Sequence, residues 1–229
     1  MKKVLILGGN SDIGTKVAEK LVNDKNLILS IHYNKSVPKI NKRKNVRLIK
    51  KNLISINQKN VSKFFKNDYD IIINLVGYVS NQSFSNFDLK EINKTVLINS
   101  FVPFLIIRNS LKNMIKKKFG RIVNTSSVGI KFGGGEKTFS YSLSKFINEF
   151  IPRDIRKLSS KNIFYNTLRI GVTDTKFHKK IKNKTIKKRI KLIPVQKMAE
   201  VDDIANYIIY LISSNNFITN EIINITGGE

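Results

Sequence analysis

From Lys3 to Ile225 the chain alternates short apolar runs rich in Val and Ile with longer segments of helical period. Such an alternation is the mark of βα units, whose strands pair in parallel and are covered by helices on both faces. The runs place strands near Lys3 to Leu7, Leu27 to Tyr33, Val46 to Lys50, Asp70 to Leu75, Gly120 to Thr125, Ile163 to Arg169 and Ile222 to Ile225. Helices are expected near Asp12 to Asn23, Val61 to Phe65, Leu89 to Lys117, Tyr141 to Leu158 and Val201 to Ser213. The expected fold class is α/β, a doubly wound parallel sheet of about seven strands. With 229 residues, 41% of them hydrophobic, and no repeat or low-complexity linker, residues 1–229 read as a single domain around one core. Pro152 falls within the fourth helical segment, where it removes a backbone hydrogen bond and predicts a kink costing roughly 3 kcal/mol.

Several function classes drop out. There is no cysteine, so no disulfide framework is possible and a reducing, cytoplasmic setting is expected. The apolar run Val4-Leu5-Ile6-Leu7 stops at Gly8, too short for the core of a secretion signal. No stretch approaches the roughly 20 apolar residues that span a bilayer. No metal is expected: His32 reads as packed or surface, without a second metal-type residue nearby, and His178 as exposed. The formal charge of +26 raises a nucleic acid, an anionic surface or an acidic partner. Lys is spread along the whole chain, however, and no helix-turn-helix, zinc-finger or aromatic RNA-binding pattern accompanies it. No specific nucleic acid is therefore expected.

The first strand runs into Gly8-Gly9-Asn10-Ser11-Asp12-Ile13-Gly14 and then into a helix. A glycine turn in that context suits a pyrophosphate, because the backbone can approach closely and the helix N-terminus favours negative charge. At the end of the second strand, where a Rossmann-type dinucleotide fold holds the adenosine ribose, stand Asn34, Lys35 and Ser36 and no acid. An acid there suits the 2′-hydroxyl of NAD and a cation the 2′-phosphate of NADP, so NADP(H) is preferred over NAD(H).

Tyr141 and Lys145 are four apart in a helical segment and so share one face. Ser127 follows the fifth strand, at the carboxyl end of the sheet where open α/β folds bind ligands, fourteen residues before Tyr141. A phenol with an ordinary pKa near 10 shuttles protons poorly at neutral pH. A neighbouring ammonium, helped by the positive oxidised nicotinamide, favours the phenolate and is expected to lower that value. In this reading Tyr141 gives a proton to a carbonyl oxygen while a nicotinamide delivers hydride to its carbon, Ser127 holds that oxygen, and Lys145 also binds the nicotinamide ribose.

Together these motifs resemble the short-chain dehydrogenase/reductase family, in its shorter single-domain branch, over nearly the whole chain. That branch has Gly-x-x-x-Gly-x-Gly, matched at Gly8 and Gly14, with Asp12 in the middle position. The resemblance implies that Asn52-Leu53 lies near the adenine and that Asn74-Leu75-Val76-Gly77 is the glycine element at the end of the fourth strand. It implies that Asn99 positions a water between Lys145 and solvent, and that Thr175, four residues after Gly171, lies near the carboxamide of the nicotinamide. Ile170 stands where the family has a proline, and Asn166, Val201-Asp202-Asp203-Ile204-Ala205 and Ile225-Thr226-Gly227-Gly228 match its closing elements.

In relatives the segment after Gly171 forms a lid, here near residues 172–197 and strongly basic. Nine of the sixteen residues from Lys176 to Lys191 are cationic: Lys176, Lys179, Lys180, Lys182, Lys184, Lys187, Lys188, Arg189 and Lys191. Such a lid attracts an anionic or carrier-bound carbonyl substrate, for example a 3-oxoacyl thioester, the commonest role of similar proteins. A homotetramer or dimer through the segments near Leu89 to Lys117 and Tyr141 to Leu158 is also implied. The competing readings are a non-catalytic NAD(P)-binding regulator and a basic nucleic-acid binder on the same fold.

Overall fold

The computed structural model of the chain describes residues 1–41, 43–180 and 186–229. Its elements in order are β1 (Lys2–Leu7), α1 (Asp12–Leu21), β2 (Leu27–Tyr33), β3 (Val46–Lys50), α2 (Val61–Phe64), β4 (Ile71–Asn74), α3 (Leu89–Val96), α4 (Val102–Lys117) and β5 (Gly120–Ser127). Then follow α5 (Phe139–Ile147), α6 (Arg153–Arg156), β6 (Ile163–Ile170), α7 (Ile186–Ile190), α8 (Val201–Ser213) and β7 (Ile222–Ile225). All seven strands expected from the sequence form, within two residues of their expected ends. They pair in parallel as one sheet in the order β3-β2-β1-β4-β5-β6-β7. The order reverses between β1 and β4, which opens a crevice at their carboxyl ends.

The central strands are apolar without alternation because both faces are covered. Leu5, Leu7, Ile72 and Ile122 pack under α4 with Val102, Ile106 and Met114. Val4, Ile6, Ile71, Ile73 and Val123 face the other way, toward α1 and α8, against Val17, Leu21, Ile204, Ile208 and Leu211. Each such side chain contributes roughly 1.5–3 kcal/mol on burial.

Two long helices expected from periodicity are divided. The segment from Leu89 to Lys117 is α3, a π-helical turn at Leu97–Phe101, and α4. The π turn adds a residue to the helix and marks functional sites in many folds; here it carries Asn99. The segment from Tyr141 to Leu158 is not one kinked helix, as Pro152 predicted, but two. α5 stops at Ile147, and Pro152 begins α6 from its cap position (φ −58°, ψ 143°). The proline thus never occupies a helix interior. The break is held by Asn148, whose carbonyl accepts from Asn124 Nδ2 (3.2 Å) and the Thr167 hydroxyl (3.0 Å) and whose Nδ2 donates to the carbonyls of Asn99 (3.2 Å) and Thr125 (3.1 Å).

The segment after β6 is anchored by a bridge between Thr173 and Ala199. It contains a 3-10 turn at Lys176–Lys180 and then α7. Lys182 and Lys184 of the basic run lie outside the described residues.

Candidate active site

The carboxyl ends of β1, β2, β4, β5 and β6 open into one cleft of about 2030 Å³, above the roughly 300–1,000 Å³ of an ordinary small-molecule site. One end is built by the glycine turn. Gly8 adopts φ +72°, and a Cβ there would stand 2.8 Å from the Leu75 carbonyl oxygen. Its own carbonyl accepts the Ser11 N–H (3.0 Å) and the Ser11 hydroxyl (2.8 Å), and Ser11 Oγ caps α1 by accepting the Gly14 N–H (3.1 Å). A Cβ on Gly14 would meet the Gly8 carbonyl oxygen at 2.7 Å, so both glycines are needed for the turn to close. The first-turn N–H groups of α1 lack helical acceptors and point, with the helix dipole, toward the cleft. This cradle fits a dinucleotide diphosphate.

Sequence reasoning left His32 without a role. It is 3% exposed, its Nε2 lies 2.8 Å from the Lys51 carbonyl and its Nδ1 accepts the Gly8 N–H at 3.3 Å. The carbonyl requires a proton on Nε2, so Nδ1 is the acceptor that holds the turn. Burial lowers the imidazole pKa, which keeps this ring neutral. Only its position in β2, directly beside the turn, signals such a role. Asn34, Lys35 and Ser36 leave β2 on the cleft wall, and Asn52 and Leu53 line it from the end of β3. Asn52 Oδ1 accepts the Ile54 N–H at 3.2 Å.

At the other end Ser127, Tyr141 and Lys145 come together from β5 and α5. The Ser127 hydroxyl stands on the Tyr141 phenol's side of the cleft and pulls its pKa down, and its oxygen accepts the Gly129 N–H at 3.3 Å. Lys145 is 3% exposed, and its ammonium donates to the Val76 carbonyl (2.9 Å), the Thr125 carbonyl (3.1 Å) and the Thr125 hydroxyl (3.2 Å). Burial lowers its pKa to about 7. In the protein alone, desolvation in the cleft pushes the Tyr141 phenol up, against the smaller downward pull of Ser127. The ammonium is spent on the carbonyls of Val76 and Thr125, and its nitrogen stands 5.8 Å from the centre of the tyrosine ring.

Asn99 and Asn74 act from beneath the cleft. The Asn99 amide accepts the Tyr78 N–H (2.7 Å) and donates to the Tyr78 carbonyl (2.9 Å) and the Ser144 hydroxyl (2.9 Å). Ser144 in turn donates to the Tyr141 carbonyl (2.7 Å), so the π turn fixes the helix that carries Tyr141 and Lys145. Asn74 donates to Asn124 Oδ1 (2.7 Å) and ties β4 to β5. Asn148, which the sequence did not single out, joins Asn99, Thr125 and β6 at this point. Asn10, Asp12, Ile13, Gly77 and Thr175 line the cleft. The Thr175 hydroxyl donates to the Thr173 carbonyl at 3.4 Å. His178 is half-buried rather than exposed, with Nε2 2.8 Å from the Thr173 carbonyl, because the turn after β6 folds back on itself. Among the described residues no group of three or more His, Asp or Glu is placed to hold a metal, and no helix is long and apolar enough to cross a membrane.

A family model described as enoyl-(acyl carrier protein) reductase matches residues 13–229. The chain is 28% identical over 242 residues to a 3-oxoacyl-(acyl-carrier-protein) reductase of Aquifex aeolicus, covering 99% of this chain and 96% of that protein. A solved short-chain dehydrogenase/reductase family protein superposes with a TM-score of 0.84 at 18% identity, covering 99% of this chain and 96% of the other. The structure of ElxO with NADP bound does so with a TM-score of 0.82 at 24% identity, covering 99% and 98%. At these identities the two structures speak for the fold.

Proposed function

Because the chain belongs to the short-chain dehydrogenase/reductase family and is one of its oxidoreductases, we propose that it reduces a carbonyl substrate to an alcohol at the expense of NADPH. The observation that carries this reading is the convergence of Ser127, Tyr141 and Lys145 at one end of a cleft whose other end is a glycine cradle. Bound in the cleft, the reduced nicotinamide supplies a hydride to the carbonyl carbon. The protein's part is to hold and protonate the oxygen. Ser127 donates a hydrogen bond to that oxygen as charge develops on it, and Tyr141 gives it the phenolic proton. A phenol raised by burial is fully protonated at neutral pH and so serves as the acid in this direction. On giving up one of its bonds to Val76 or Thr125, Lys145 would hold the ribose hydroxyls and return a proton to Tyr141, and Asn99 and Asn148 keep its helix in register.

The substrate class this reading favours is a 3-oxoacyl thioester, small or carrier-bound. Support comes from the Aquifex relative, a 3-oxoacyl-(acyl-carrier-protein) reductase by name, and from the Lys188 cation on the cleft wall. Purified protein should consume NADPH when given such a thioester, and no consumption across a range of acyl lengths would remove this assignment. NADPH over NADH rests on Lys35 and Ser36 at the end of β2. Lys35→Glu should weaken NADPH binding about tenfold or more, the loss of one charge-assisted contact, and leave NADH unaffected or improved. Equal losses for both cofactors would speak against a phosphate contact.

The rate of reduction should fall as pH rises through about 7, where Lys145 loses the proton it passes to Tyr141. A flat kcat profile from mildly acid to alkaline pH would contradict that role, since the proton is restored within the turnover cycle. The same burial affects folding with a defined sign. The folded pKa lies below the ordinary lysine value of 10.5, so the cost of burying this group is relieved as pH rises from about 7 toward 10.5 and returns on the way down.

We place the protein in the cytoplasm as a homo-oligomer, a tetramer or dimer. The assembly rests on Phe101, Leu143, Phe146 and Phe150, which leave apolar surface exposed on the π turn, on α5 and just after it; a second copy would cover it.

A further inference from the structure

Asp12 stands where the family's glycine pattern has its middle glycine, at the first position of α1. A carboxylate here is suited to the helix dipole but ill suited to touching a diphosphate, since like charges repel. Its side chain is turned to another use. Asp12 Oδ2 accepts the backbone N–H of Lys176 at 2.7 Å, across 164 residues of sequence, and Oδ1 lies 3.9 Å from the Lys176 ammonium. The Lys176 side chain is 81% exposed and its charge contributes little, so the contact is chiefly carboxylate to backbone.

The next residue shows what this contact holds in place. The Phe177 ring packs against Tyr141, with centroids 5.3 Å apart, and its edge lies 3.3 Å from where a Cβ on Gly77 would be. The root of the segment is fixed separately, by the Asp174 N–H on the Ala199 carbonyl (3.0 Å) and the Ala199 N–H on the Val172 carbonyl (2.9 Å). Asp12 therefore holds the far side of the same segment, over the cleft.

We propose that Asp12 is a positioning residue: its carboxylate latches the Lys176 backbone across the mouth of the cofactor cleft and so holds Phe177 as a roof over Tyr141. Building on the reductase reading above, the latch ties the phosphate-binding helix to the cover of the reacting end, so that cofactor leaves when the Asp12–Lys176 contact opens. A roof at this point excludes water from the reacting groups.

Hydrogen exchange and NADPH release test it together. In Asp12→Ala, exchange at the Lys176 and Phe177 amides of the protein alone should quicken by about tenfold or more, as for loss of a hydrogen bond to a charged group. NADPH release measured by stopped-flow fluorescence should quicken with it, and Asp12→Asn, which keeps an acceptor oxygen, should restore much of both. Lys176→Pro probes the contact from the donor side and keeps the test open should Asp12→Ala fold poorly, since proline is tolerated where a helical turn starts. Faster Phe177 exchange and faster NADPH release are expected there too. Unchanged amide exchange in Asp12→Ala, or NADPH release at the parent rate in both Asp12→Ala and Lys176→Pro, would overturn the latch. Failure of the parent protein to bind NADPH would instead strike at the reductase reading, and the exchange data alone would then decide the contact.

Discussion

Tyr141→Phe is expected to lower kcat for carbonyl reduction by about 10³-fold, within the span of a lost general acid, while NADPH affinity changes by no more than about twofold. The substitution removes one oxygen and keeps the ring that packs against Phe177. What it deletes is the phenolic proton that stands beside Ser127 at the reacting end of the cleft. Stability should shift by roughly 1 kcal/mol at most, the worth of one hydrogen bond, so folding will not obscure the kinetics. A variant that keeps more than a few per cent of the parent rate would show that the proton comes from elsewhere.

Gly8→Ala should be nearly as damaging, for a reason that lies in the backbone. A left-handed residue other than glycine costs about 1–2 kcal/mol, and the new methyl would stand 2.8 Å from the Leu75 carbonyl oxygen and 2.9 Å from its carbon. These are backbone atoms at the end of β4, so no rotamer relieves the contact. Either the turn or the strand end must shift, and with it the Gly8 carbonyl that fixes Ser11 and the N–H that rests on His32. NADPH affinity is expected to fall about 100-fold, equivalent to about 2.7 kcal/mol, together with a lower melting temperature. Parent-like NADPH affinity in this variant would mean that the diphosphate does not use the turn.

The sheet was legible because its signal is local. A strand buried on both faces must be apolar throughout, and Val4 to Leu7 or Ile71 to Ile73 admit little else. The glycine turn and the Tyr141–Lys145 spacing were legible for the same reason, since each depends on residues within one turn or one helix. What the sequence hid depends on partners far along the chain. α5 ends at Ile147 because Asn148 finds β5, β6 and the π turn, contacts between 19 and 49 residues away, and Pro152 then starts a new helix instead of bending an old one. His32 and Asn148 carry no pattern of their own. The Tyr141 phenol, expected to fall under Lys145 and an oxidised nicotinamide together, is raised in the protein alone, where burial dominates and the lysine's hydrogen bonds go to the carbonyls of Val76 and Thr125. Electrostatics of this kind follow from depth and partner geometry, which residue spacing does not report.

The most direct test of the central claim is a fluorescence titration of the purified protein with NADPH and with NADH at physiological salt. Saturable binding of both, with NADPH the tighter, is the expected result and would join the glycine cradle to Lys35 as parts of one cofactor site. Binding of neither would contradict the account, because Ser127, Tyr141 and Lys145 have no hydride to work with unless the cleft holds a nicotinamide.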